Sequence, residues 1–124
     1  MGQENETYLA EKEEELVNLL FGIGIKRNVA KVLVFLAKTP TVTSRVIDRG
    51  TDLRHLEVAS VMQYLQKQGW IKSQENKGRS KGRPVKIYEL AKPIPEIVSG
   101  IEKEKIKKAN DQLQLIQKLR NYVT

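Results

Sequence analysis

The amino-acid sequence predicts a mainly α protein with one small β-hairpin late in the chain. Apolar residues recur at helical spacing in five stretches, which indicates five helices. Two short β-favouring segments, residues 70–74 and 85–90, are separated by a polar, glycine-containing stretch that is too hydrophilic to pack. The length of 124 residues fits one compact core with an appended helix.

The first two helices are expected at residues 6–21 and 26–38. Gly22 and Gly24 end the first helix, and Pro40 prevents much extension of the second. The apolar positions are Leu9, Leu16, Val17, Leu19, Leu20 and Phe21 in the first helix, and Val29, Val32, Leu33, Leu36 and Ala37 in the second.

A short third helix and a longer fourth helix follow. Thr43 or Ser44 can cap the third helix, which stops at Gly50. Asp52 is a good N-cap for the fourth helix, expected at residues 53–68 and ended by Gly69. The expected inward positions are Val46 and Ile47 in the third helix, and Leu56, Val58, Val61, Met62 and Leu65 in the fourth.

The hairpin is followed by Pro93 and Pro95 and then by a long last helix, expected at residues 96–123. Its apolar positions are Ile97, Ile101, Ile106, Ala109, Leu113, Ile116, Leu119 and Val123. This order of elements is that of a winged helix-turn-helix with helical extensions at both ends. We expect residues 1–92 to form a winged helix-turn-helix DNA-binding domain with an N-terminal helix, and residues 93–124 to form a dimerisation helix.

The net charge of +7 is unevenly distributed. Residues 1–25 contain six glutamates and Lys12, a net charge of −5, which leaves +12 for residues 26–124. Such an excess favours a polyanionic partner, of which nucleic acid is the commonest, although solubility alone is the other interpretation.

Two groups of side chains are candidates for binding double-stranded DNA. A helix in the major groove holds its apolar side against its domain and projects polar side chains to base edges. The fourth helix offers Arg54, His55, Ser60, Gln63 and Lys67 for this role. The wing offers Lys77, Arg79, Lys81, Arg83 and Lys86, and residues 77–86 contain no acid. The structural alternatives are an ordinary amphipathic surface helix and a solvated turn. Glu57 is unfavourable near phosphates, although an acid can accept a hydrogen bond from cytosine, so its role stays open.

The last helix is too apolar on one side to stand alone in water. It either folds back on the first helix or pairs with a second copy of the chain, and we favour the homodimer, with the first helix joining the interface. The dimerisation residues expected are Ile101, Ala109, Leu113, Ile116 and Leu119.

Other functional classes find little support in the sequence. The chain has no cysteine and His55 is its single histidine, so no catalytic residue, metal site or cofactor is predicted, and we do not expect an enzyme. The longest apolar run, residues 29–37, contains Lys31 and is too short to span a membrane, and the N-terminus is acidic rather than signal-like. These features favour a cytoplasmic protein without a membrane partner, and leave any small-molecule effector undefined.

Two motifs resemble those of a known group. Asp-Leu-Arg-His-Leu-Glu-Val-Ala-Ser at residues 52–60 leads to Leu-Gln-Lys-Gln-Gly-Trp-Ile at residues 65–71, and Gly-Arg-Pro-Val-Lys-Ile-Tyr-Glu-Leu stands at residues 82–90. Through them residues 43–90 resemble archaeal winged-helix transcriptional regulators, loosely related to the MarR, ArsR and TrmB families. The resemblance implies base contacts from Arg54, His55 and Ser60, and backbone contacts from Arg79, Lys81 and Arg83. Leu56 departs from the small polar residue often found at its position.

The sequence thus predicts a sequence-specific, double-stranded DNA-binding transcriptional regulator. Its recognition helix, residues 53–68, would lie in the major groove, and its basic wing, residues 75–84, on the backbone or in the minor groove. The alternatives are a winged-helix protein-protein interaction module, which would have an apolar recognition face, and a non-specific architectural nucleic-acid binder.

Overall fold

The computed structural model describes the backbone of residues 2–76 and 85–124, and the side chains of residues 11–75 and 85–124. The elements are α1 (Gly2–Gly22), α2 (Arg27–Lys38), α3 (Ser44–Thr51), α4 (His55–Gln68), β1 (Ile71–Asn76), β2 (Val85–Leu90) and α5 (Ile94–Val123). The mainly α fold with one hairpin is confirmed. Lys77, Arg79, Lys81 and Arg83 lie outside the described residues.

The chain forms two compact units, residues 1–92 and residues 93–124. In the first unit, α2 is the central helix and contacts α1, α3, α4 and β2. Apolar residues recur in each of its three turns, so most of the surface of α2 is buried against the other elements. The buried residues of α2 are Val29, Ala30, Val32, Leu33, Val34 and Leu36.

The three other helices of the first unit each contribute a narrower apolar face. Val17 and Leu20 of α1 and Ile47 of α3 are buried, as are four residues of α4, Val58, Val61, Met62 and Leu65. Burial of such side chains is worth about 1.5–3 kcal/mol each, and this is the main term that holds these helices together.

The hairpin is antiparallel and runs in register from Ile71 opposite Leu90 to Asn76 opposite Val85. Val42, just before α3, forms a bridge to Tyr88 through two backbone hydrogen bonds, Val42 N to Tyr88 O at 3.0 Å and Tyr88 N to Val42 O at 2.7 Å. The hairpin is therefore fastened to the start of α3. No local pattern in the sequence predicted this pairing, because its two sides are distant in the chain.

The turn between α3 and α4 differs from the expectation. Asp52 is the C-cap of α3, with a left-handed φ of 57°, and Arg54 occupies the N-cap of α4. The fourth helix therefore begins at His55 rather than at residue 53. Aspartate is suited to either cap and tolerates the left-handed conformation, so its identity alone did not decide between them.

Gly50 was expected to stop α3, but the helix continues through it to Thr51, whose hydroxyl donates to the Ile47 carbonyl at 2.7 Å. The reason for glycine here is space: a Cβ at Gly50 would overlap the ring of Phe35. Thr43 is confirmed as the N-cap, since its side chain accepts a hydrogen bond from Val46 N at 3.4 Å.

Several apolar side chains expected in the core are exposed. Leu19, Phe21 and Leu56 are more than half exposed, and Ala37 and Val46 are also exposed. Leu19, Val46 and Leu56 each lie about 100° or more around their helix from its buried residues. Phe21 and Ala37 lie on the buried side but next to the end of their helix, where less of the chain covers them.

The observed boundaries of β1 and α5 also differ from the predicted ones. Trp70 precedes β1 and packs edge to face on Tyr64, with ring centroids 6.0 Å apart. Helix α5 begins at Ile94 instead of residue 96, with Pro95 in its first turn, where the missing N–H has no helical partner to lose. None of the helices in the described part of the chain is both long and apolar enough to cross a membrane.

Candidate nucleic-acid interface

Helices α3 and α4 form the helix-turn-helix, and the turn between them is held by side chains from both. His55 Nδ1 of α4 lies 3.0 Å from Asp48 Oδ2 of α3. Asp48 Oδ1 is buried and has no hydrogen-bond partner among the described residues. The first residue of α4 is thereby fixed against the preceding helix.

The outer face of α4 follows from its buried face. Val58, Val61, Met62 and Leu65 point into the core. At about 100° per residue, the centre of the opposite side is occupied by Leu56, Ser60, Gln63 and Lys67, and all four are exposed. We call these four residues the outer face of α4.

The five predicted recognition residues are all exposed, but they do not share one position on the helix. Ser60, Gln63 and Lys67 belong to the outer face. His55 lies about 100° around the helix from Leu56, on the side that meets α3, and Arg54 precedes the helix rather than lying in its first turn. The structure thus brings three of the five together and places two at the N-terminal edge.

Glu57 has a structural position that the sequence left open. Its Oε1 accepts a hydrogen bond from the backbone N–H of Arg54 at 3.2 Å, and its Oε2 accepts one from Asn28 Nδ2 at 3.0 Å. The first bond is half of a capping box; the arginine side chain has no acceptor with which to complete the other half. Both carboxylate oxygens are therefore engaged within the protein, which caps α4 and ties it to α2.

Sequence reasoning missed a cleft beside the outer face. It measures about 640 Å³, and its lining includes Lys26 and Arg27 from the start of α2 and Leu56, Ser60 and Tyr64 from α4. Two cations from α2 thus stand beside the outer face. Their place could be found only once α2 and α4 were packed together, because the two segments are about thirty residues apart in the sequence.

A second cleft of about 390 Å³ lies where α3 begins, and it is lined by Thr43, Ser44, Arg45, Val85 and Lys86. Lys86 was predicted as a wing residue, whereas Arg45 was not singled out. The backbone N–H groups at a helix N-terminus favour anions, and two neighbouring cations strengthen that preference. This end of the helix-turn-helix can therefore receive a phosphate group.

The predicted dimerisation residues all lie on α5. Ile101 is buried, whereas Ala109, Leu113, Ile116 and Leu119 are exposed. Within residues 11–75 and 85–124, no three His, Asp or Glu side chains are grouped so that they could hold a metal ion.

Similar solved structures have the same arrangement of helices and hairpin. The archaeal chromatin protein TrmBL2, described as showing a novel mode of DNA binding, aligns with a TM-score of 0.74 at 15% identity, over 90% of this chain and 40% of its own length. A possible transcriptional regulator from Methanosarcina mazei aligns with a TM-score of 0.61 at 13% identity, over 77% of this chain and 82% of its own. This chain has the winged-helix fold.

A mutant of MarR from E. coli, in complex with operator DNA, is also similar to this winged-helix chain. Its TM-score is 0.54 at 17% identity, over 82% of this chain and 71% of the MarR chain. No family model and no curated protein matches the sequence. The chain spans less than half the length of TrmBL2, and the likeness lies in the fold.

Proposed function

We propose that this winged-helix protein is a homodimeric, sequence-specific regulator of transcription in the cytoplasm that binds double-stranded DNA. The outer face of α4 enters the major groove, and the hairpin wing, residues 75–84, lies on the backbone or in the minor groove. The observation that carries the proposal is the outer face itself, which is exposed, largely polar and flanked by the cations of α2. The operator complex of MarR, a protein of the same fold, supports it.

The phosphate contacts are proposed at two places. Arg45 and Lys86 stand at the start of α3, and the wing carries Arg79, Lys81 and Arg83. Neutralised phosphates release counterions, so the logarithm of the binding constant falls with the logarithm of salt by about 0.9 per contact. The number of contacts is therefore measurable without knowing the DNA sequence.

The test is a salt titration of binding to labelled duplex DNA by three proteins. They are the wild type, the wing variant Arg79→Ala/Lys81→Ala/Arg83→Ala, and the control Lys107→Ala/Lys108→Ala/Lys118→Ala. The control removes the same charge from exposed positions on α5. We expect the wing variant to lose about one unit of slope per lost contact and the control to keep the wild-type slope. Equal slopes in all three proteins would contradict phosphate contacts by the wing. No binding at low salt would contradict DNA binding altogether.

Sequence specificity is tested separately, by selecting bound fragments from random duplex DNA. A regulator enriches a motif, and a two-fold symmetric dimer enriches a motif with two-fold symmetry. A non-specific architectural binder enriches none, and that outcome would favour architectural DNA binding over sequence-specific regulation.

The homodimer is proposed from the pattern of exposed residues on α5. Ile106, Ala109, Leu113, Ile116 and Val123 recur at spacings of three, four, three and seven residues, and all are exposed in the single chain. This is the a and d spacing of a coiled-coil heptad, and the five residues form a seam that is interrupted once, at the a position held by Arg120. A second copy of the helix would bury this seam, and Leu119 would flank it.

A second candidate function is the protein-protein interaction module. It predicts an apolar recognition face, and Leu56 in the centre of the outer face is the observation that favours it. The other three residues of that face, Ser60, Gln63 and Lys67, are polar, and they favour DNA. Failure of the protein to bind any duplex at low salt would leave this module as the better function.

A further inference from the structure

Leu56 occupies an unusual position for a leucine. It is 81% exposed, although it lies in the centre of the outer face of α4, with Ser60, Gln63 and Lys67 following it along the same side. Its neighbour Glu57 is engaged by Arg54 and Asn28 and turns toward α2. Leu56 therefore contributes little to the core and is the apolar member of an otherwise polar face.

The surroundings of Leu56 narrow the choice of partner. The adjoining cleft is lined by two cations, Lys26 and Arg27, against one acid, Glu57, and by Tyr64, which is 40% exposed. A partner that suits this surface is anionic overall and yet offers a small apolar group to Leu56. Duplex DNA does so at one place in its major groove, because the C5-methyl of thymine is the apolar group among the base edges there.

We propose that Leu56 contacts the C5-methyl group of thymine in the major groove and makes α4 select sites with thymine at that position. This inference rests on the proposed DNA binding through α4. Leu56 is the second residue of α4, and residues near the N-terminus of a recognition helix reach the base edges. Helical side chains also lean toward the N-terminus, so Leu56 points to that same end.

The size of the effect follows from the burial of one methyl group. When one methyl group leaves water and is buried against a leucine side chain, affinity rises by about four-fold. A homodimer that makes the contact twice would change affinity by the square of that factor, roughly sixteen-fold. Leucine offers neither donor nor acceptor, so the preference depends on the methyl and not on the hydrogen-bonding edge of the base.

The experiment compares thymine with deoxyuridine, which lacks only the C5-methyl and keeps the O4 acceptor. The full-length protein first selects its preferred duplex, and that duplex is then made in both forms. Dissociation constants are measured for the wild type, for Leu56→Ala and for the control Leu115→Ala, which truncates a leucine on α5 that is also more than half exposed. Because Leu56 is so exposed, Leu56→Ala should fold, and circular dichroism checks that it does.

We expect the wild type and Leu115→Ala to bind the thymine duplex at least about four-fold more tightly than the uracil duplex, and Leu56→Ala to bind the two equally. Equal binding of both duplexes by the wild type would overturn the methyl contact and leave DNA binding intact. The contact is also overturned if Leu56→Ala keeps the preference for thymine, that is, if the substitution weakens binding to both duplexes by the same factor. No binding of either duplex by the wild type would instead contradict the proposed function itself.

Discussion

Asp48 of α3 holds the imidazole of His55 at the first residue of α4, with 3.0 Å between Asp48 Oδ2 and His55 Nδ1. A carboxylate accepts hydrogen bonds, so the proton of the ring lies on Nδ1 and Nε2 is left for a further partner. His55 is 72% exposed. The pair therefore fixes the direction in which Nε2 points.

The first prediction concerns this pair. Asp48→Ala should weaken binding to the preferred duplex, because the His55 ring loses its fixed orientation. The direction of the change in affinity is informative, because removal of a negative charge near phosphates would by itself strengthen binding. Fluorescence anisotropy at fixed salt measures the change.

A double-mutant cycle is the control for this prediction. If Asp48 acts through His55, Asp48→Ala adds little to His55→Ala, and the coupling should be about 1 kcal/mol, about five-fold in affinity. Tighter binding by Asp48→Ala, or additive losses in the double variant, would show that Asp48 does not position His55 for DNA.

The second prediction concerns Gly50 and Phe35. Glycine inside a helix normally costs about 0.5–1 kcal/mol relative to alanine, so Gly→Ala is usually stabilising there. At Gly50 the added Cβ would overlap the ring of Phe35. We expect Gly50→Ala to destabilise the protein by about 1–3 kcal/mol, as overpacking does, measured by chemical unfolding.

Gly100 is the matched control for Gly50. It also lies inside a helix, and a Cβ there meets no atom within 4 Å among the described residues. Gly100→Ala should raise the stability by about 0.5–1 kcal/mol. Opposite signs for the two variants are expected, and a stabilising Gly50→Ala would refute the role of the Phe35 ring.

The third prediction separates structure from recognition at Glu57. Glu57→Ala should destabilise the protein by about 0.5–2 kcal/mol, because α4 loses its N-terminal cap and its link to Asn28. The motif selected from random DNA should not change, since both oxygens are engaged within the protein. A changed motif at a cytosine would instead assign Glu57 to base reading.

The core of the fold could be predicted from the sequence because helical spacing repeats in it. Val58, Val61, Met62 and Leu65 define one face of α4 without reference to the rest of the chain. The same spacing places Leu56 about 160° around the helix from Val58, on the outer face. Its exposure was therefore available from the sequence, and it was missed because leucine was assigned to the core on hydrophobicity.

Other features of the site had no local signal. Asp52 could cap either helix, and the choice depends on how α3 and α4 meet. Arg27 comes to lie beside the outer face of α4 only when the helices pack. Arg45 likewise comes to lie beside the start of β2, at the loop end of the hairpin. The bridge between Val42 and Tyr88 likewise joins distant parts of the chain. Such contacts depend on tertiary structure, which residue spacing does not encode.

The last prediction tests the α5 seam with two leucines that differ in one respect. Leu113 is 61% exposed and Leu115 is 63% exposed, but only Leu113 lies in the heptad seam. Leu113→Glu should bury an unpaired charge in the seam of each copy and weaken self-association, whereas Leu115→Glu should leave it unchanged. Sedimentation over a concentration series measures the dimer constant.

The same two variants link the dimer to DNA. A dimer binds two half-sites, and the second contact benefits from the high effective concentration set by the first. Leu113→Glu should therefore weaken binding to a two-half-site duplex far more than to a single half-site, and Leu115→Glu should affect neither. A wild-type chain that stays monomeric at every concentration would refute the seam. If both variants weakened the dimer equally, the interface would lie on another face of α5.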